Sequence, residues 1–127
     1  DLANSDLAEE VLPAAEERGV AVINASPLHM GLLSDPAHAR EVAAADRLAG
    51  DAAEEAFAIA AKAGTELPKL ALEYAAQEAR IACTLVGCAN AAEVFSNVKA
   101  FESSPTELEA RAIEEIRIAF QAADLTT

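Results

Sequence analysis

Cations are scarce in this chain. Nine Lys and Arg stand against 22 Asp and Glu, giving a net charge of −13 at pH 7. Such a surface repels phosphate backbones and anionic membranes, so neither nucleic acid nor a membrane is expected as a partner. Aromatic residues are also few, at 4%. The hydrophobic fraction is 53%, but much of it is alanine, which buries little area. Stability must therefore come from close helix packing. The two cysteines, Cys83 and Cys88, match neither a zinc-ligand nor a CxxC spacing. On an extended strand they would lie ~16 Å apart, too far for a disulfide, so two reduced thiols are expected. Long apolar runs are missing: no window of about 18 residues could span a bilayer. No secretory signal pattern is present. Together with the reduced thiols, this points to the cytoplasm. A Walker lysine motif, GxGxxG, HExxH and GxSxG are all absent. No metal site is expected. The chain begins at Asp1 rather than Met, as a processed product, a fragment or a partly represented chain would.

What is present alternates between helix and strand. Ser5-Asp6 followed by Glu9 and Glu10 signals a helix over 5–18, with Pro13 as N1 and Gly19 just past the end. Residues 20–25 (VAVINA) and 81–86 (IACTLV) read as strands buried on both faces of a parallel sheet. Helices are expected over 36–49 and 51–63, parted by Gly50-Asp51, and over 67–79. A further helix over 90–101 should take Asn90 as N-cap and turn Val94, Val98 and Phe101 inward. The last, over 106–122, opens on a capping box from Thr106 to Glu109, with Leu108, Ile113, Ile116 and Phe120 on its apolar face. Two buried parallel strands cannot satisfy their own outer edges. The chain should therefore be incomplete, dimerised or docked onto another body.

Three segments carry a family resemblance. Gly19-Val-Ala-Val-Ile-Asn-Ala-Ser-Pro-Leu-His-Met-Gly31 resembles the seventh strand and following turn of aldo-keto reductases. Thr84-Leu-Val-Gly-Cys-Ala-Asn-Ala-Ala-Glu-Val-Phe-Ser-Asn-Val-Lys-Ala-Phe101 resembles their eighth strand and next helix. Leu67-Pro-Lys-Leu-Ala-Leu-Glu-Tyr-Ala75 resembles the helix between them. Order and spacing agree from about residue 5 to 120. Within the family, NASPLHMGLL and TLVGCAN are most similar to the branch of L-galactose, L-fucose (D-threo-aldose) and pyridoxal dehydrogenases. The implied fold is α/β: residues 1–127 form the C-terminal part of one (β/α)8-barrel domain, with its last two strands and their helices, incomplete as a barrel on its own.

The resemblance also implies a site. Ser26, Pro27 and Leu28 would meet the cofactor pyrophosphate and ribose at the carboxyl end of a barrel strand. Gly87, Cys88 and Asn97 match the second cofactor segment, with Asn97 at the family's adenine-contacting position. Many members carry an aromatic before the serine to stack on the nicotinamide; here the position is Ala25, which puts that stacking in doubt. His29 is a candidate substrate contact, whereas His38 is expected in solvent. NADP-preferring relatives place basic residues after the eighth strand. Here Leu85 to Asn97 holds no Lys or Arg and carries Glu93, so NAD is the expected cofactor.

The implied activity is NAD(P)-dependent interconversion of a carbonyl and an alcohol, on a sugar or similar small substrate. In the family, a Tyr acts as proton donor or acceptor with Lys, Asp and His beside it, all on earlier strands. Tyr74 does not match that position. The chain should therefore need the remainder of a barrel, or another chain, as partner, and should not turn over alone. The alternative is a non-catalytic reductase-like module that binds nucleotide or a partner protein. An intact catalytic tetrad upstream would separate the two.

Overall fold

The computed structural model describes residues 1–45 and 47–123. A π-helical turn, Leu7–Val11, runs directly into α1, Leu12–Glu17. Pro13 sits second in α1, just after the π-helical turn, and so within one continuous helical path rather than at its start. Gly19, at φ 62°, turns the chain toward β1, Val22–Ala25. After a 3-10 turn at His29–Gly31 come α2, Pro36–Val42, and α3, Arg47–Lys62. Asp35 caps α2 by accepting from the backbone N–H groups of Ala37 and His38. The expected division at Gly50-Asp51 is wrong: α3 runs through it, and α2 instead tightens into a 3-10 turn at Ala43–Ala45. Gly50 has a packing reason, since a Cβ there would lie 3.2 Å from that of Ala43. The chain continues through α4, Leu67–Ala76, β2, Ile81–Leu85, α5, Ala91–Glu102, and α6, Glu107–Ala122.

The two strands pair in parallel, as the α/β pattern requires. Ile23 lies opposite Cys83, Asn24 opposite Thr84 and Ala25 opposite Leu85, after an irregularity beside Val22. This register puts Ile23, Ala25, Cys83 and Leu85 on one face. All four are exposed, Ile23 at 62% and Leu85 at 57%. The expectation of burial on both faces fails here, because nothing in the described residues covers that side. The sheet is an unclosed pair of strands.

The core is helical. Ala52, Ala53, Ala56 and Ala60 of α3 meet Ile113, Ile116 and Phe120 of α6, with Leu67 and Leu70 of α4 closing the third side. Alanine on α3 lets the axes approach closely, as the composition suggested. Two sequence expectations of inward packing fail. Leu108 points out of α6, and Val94 and Val98 are about half exposed on α5. Among the described residues, no helix is long and apolar enough to cross a membrane.

Candidate functional site

The carboxyl ends of β1 and β2 lie side by side and open into a cleft of about 650 Å³. Ser26, Pro27, Leu28, Met30 and Gly31 line it from β1, and Thr84 to Gly87 from β2. The loop after β1 is unusual in its backbone. Ser26, His29 and Met30 have φ of 56°, 48° and 53°, in the left-handed region that L side chains rarely enter. Such residues cost of order 1–3 kcal/mol each and cluster at ligand-binding segments. Local bonds hold the loop: His29 N–H donates to the Ser26 carbonyl at 2.9 Å, and Ser26 Oγ lies 3.3 Å from Met30 Sδ. Gly31, at φ 99°, completes the turn, and the His38 ring lies against the position a Cβ would take.

The β2 side is built differently. Gly87 has an ordinary backbone conformation, and a Cβ there would touch nothing within 4 Å. Neither backbone strain nor packing within this chain requires glycine at that position. Asn90 caps α5 by accepting from the Glu93 N–H at 3.0 Å, and the Glu93 carboxylate returns to the Ala89 N–H at 2.7 Å and to Asn90 Nδ2 at 3.0 Å. This reciprocal cap was not anticipated at Glu93, although Asn90 was. It leaves the carboxylate exposed at the turn, with lone pairs to spare. Asn97 Nδ2 donates to Cys88 Sγ at 3.1 Å. Cys88, Asn97 and Val98 line a second groove, which shares Thr84 and Val86 with the cleft.

The predicted residues thus fall into two neighbouring groups. Ser26, Pro27, Leu28 and Gly87 meet in the cleft, and Cys88 and Asn97 lie in the adjoining groove with Glu93 at the turn between. His29 lines neither. Its Nδ1 faces the Asp1 carboxylate at 3.0 Å, and burial holds its pKa below the usual imidazole value. His38 is exposed, 3.6 Å from Glu41. Tyr74 lies on α4 with the Arg117 guanidinium over its ring, away from the cleft. Both cysteines are free and exposed.

Sequence reading missed the left-handed loop and a charged cluster beneath α5. In the cluster, Lys69 Nζ bridges Glu73 at 2.8 Å and Glu109 at 2.5 Å. The Lys69–Glu73 spacing of four on one helix was the available signal. Glu109 was legible only as part of a cap.

A model of the aldo/keto reductase family matches residues 1–118. An L-galactose dehydrogenase from Arabidopsis thaliana is 35% identical over 106 residues, covering 84% of this chain and 32% of that protein. The chain thus spans about a third of the length of the curated relative it matches. With this match and the parallel strand pair carrying both signature turns, the chain belongs to the aldo/keto reductase family, close to its L-galactose dehydrogenase branch.

Proposed function

We propose that this chain contributes the dinucleotide-binding segments of an NAD-preferring dehydrogenase that oxidises a sugar or similar small alcohol to its carbonyl. The observation that carries this reading is the cleft at the carboxyl ends of β1 and β2, with the left-handed Ser26 and Met30 on one lip and Gly87 on the other. In barrels of this class that end of the strands is where chemistry occurs.

The residues fit a nicotinamide dinucleotide in kind. Ser26 offers a hydroxyl, Pro27 and Leu28 an apolar wall, and Gly87 a backbone that a ligand can approach without meeting a side chain. The space a Cβ would fill at Gly87 is free of protein atoms. The Glu93 carboxylate at the turn can accept a hydrogen bond from a ribose hydroxyl and would repel a 2′-phosphate. The stretch from Leu85 to Asn97 holds no cation to offset that repulsion. A nicotinamide held here would supply hydride exchange with the substrate carbon. The work of residues 26–31 and 84–97 is to hold and orient it. The proton relay belongs to the remainder of the barrel, and the open face of Ile23, Ala25, Cys83 and Leu85 is the surface that remainder would cover.

The test is kcat/KM for NAD against NADP in the full-length protein, repeated with Glu93→Arg. NAD should be preferred, and the substitution should move the ratio toward NADP by about tenfold, the effect of one charge-assisted contact. Preference for NADP in the unmodified protein would contradict the assignment. An unmoved ratio would place Glu93 away from the ribose.

A further inference from the structure

Helix α5 carries Glu93 and Asn97, yet within this chain it is attached by its far end. Ala100 is its one buried residue among those described, while Ala91 to Ser96 are all exposed and Phe95 is 76% exposed. At that far end, Ser103 terminates the helix, and its hydroxyl donates to Glu73 Oε1 at 2.6 Å. The Glu73 side chain is fully buried on α4. Its Oε1 also takes the Lys69 ammonium at 2.8 Å, while Oε2 has no partner among the described residues. Lys69 reaches on to Glu109, which closes the cap at the start of α6. Glu73 and Lys69 of α4 together therefore tie three helices at the α5–α6 junction, Glu73 reaching α5 and Lys69 reaching α6. Burying a carboxylate such as Glu73 is costly, and an apolar residue of the same shape would pack at least as stably. What an apolar side chain could not supply is a directional bond to Ser103.

We propose that Glu73 is a positioning residue for the dinucleotide site: through Ser103 it fixes the direction of α5, and so the placement of Asn97 and Glu93, without touching the cofactor. Residue 97 lies six positions before Ser103, about 9 Å along the axis at 1.5 Å per residue. A small tilt at the anchor is carried to the end that meets the nucleotide. This inference rests on the functional reading above, and its failure can be told apart from failure of that reading.

The experiment uses the full-length protein with Ser103→Ala, Ser103→Thr and Glu73→Gln. Ser103→Ala removes only the anchoring hydroxyl at a half-buried site, and Ser103→Thr restores it. Three quantities are read: Kd for NAD, kcat and KM with NAD, and the alkylation rate of Cys88 in the cofactor-free protein, where Asn97 is its partner. Ser103→Ala should raise Kd and KM for NAD by about three- to tenfold, the loss of part of one hydrogen bond to a charged group, with kcat within about twofold. Cys88 should alkylate at a changed rate, and Ser103→Thr should return all three toward the unmodified values. Glu73→Gln keeps an acceptor for Ser103 but loses the charge, so it should fall between the two. A lowered unfolding midpoint with unchanged Kd and unchanged Cys88 reactivity would reduce the bond to a structural one and overturn the proposal. If the unmodified protein binds no NAD, the functional reading fails and the proposal fails with it.

Discussion

Two glycines at the cleft do different work. Gly31 is required by a φ of 99°, which L side chains rarely adopt; the exposed His38 ring beside it could swing aside. Gly31→Ala should destabilise the protein by about 1–3 kcal/mol, read from the denaturation midpoint. Gly87 meets no such demand, so Gly87→Ala should leave that midpoint within about 0.5 kcal/mol. In the full-length protein it should nonetheless weaken NAD binding, because the added methyl projects into the space assigned to the ligand. A destabilised Gly87→Ala with unchanged NAD affinity would reverse these roles. The Lys69 cluster is the second residue-scale feature. Hydrogen bonds from Lys69, and then from the Thr106 N–H, hold the Glu109 carboxyl at about 2, below its ordinary 4.5. For a lowered carboxylate pKa, the stabilisation is present above 4.5 and lost as pH falls toward 2. Unfolding free energy should therefore drop through that window, and Glu109→Gln should flatten the drop. Lys69→Met strands the buried Glu73 charge and should cost about 3–5 kcal/mol. A loss below about 1 kcal/mol would mean that the Ser103 hydroxyl alone suffices for the Glu73 carboxylate.

At the scale of elements, local chemistry was readable where a side chain completes a backbone need. The Thr106–Glu109 box and the Asn90 cap stand where the sequence put them. Thr106→Ala should cost about 1 kcal/mol by thermal or chemical unfolding. An effect near zero would mean that α6 is held by packing alone. The parallel pairing of 22–25 with 81–85 was likewise legible, because two short apolar runs separated by helices leave few alternatives. Reading failed where tertiary context decides. Gly50 looked like a helix end, yet its close approach to Ala43 holds it inside α3 at the modest cost of a helical glycine. Val94, Val98 and Leu108 have helical periodicity, but the described residues leave each of them about half exposed. Of the candidate site residues, Ser26, Pro27, Leu28 and Gly87 were picked out through the family resemblance, and they line one cleft. The left-handed conformations of Ser26, His29 and Met30 were not legible, since none is the glycine or asparagine that usually signals them.

At the scale of the whole chain, a helical body with an alanine-rich core carries a strand pair with one bare face. The core and the bare face predict different behaviour. The 127-residue chain alone should be strongly helical by circular dichroism, yet bind a hydrophobic dye and self-associate through Ile23, Leu85 and Phe95. A dye-negative monomer with cooperative unfolding would contradict the view that this face needs cover. The proposed function depends on the same division, because the cleft sits at the strand ends rather than in the helical core. Hydrogen exchange of the full-length protein with and without NAD tests this most directly. The expected result is slowed exchange at Ser26–Gly31 and at Gly87–Asn97, with α3 and α6 unchanged. Binding of NAD with no slowing at either segment would contradict the assignment of the cleft as the dinucleotide site.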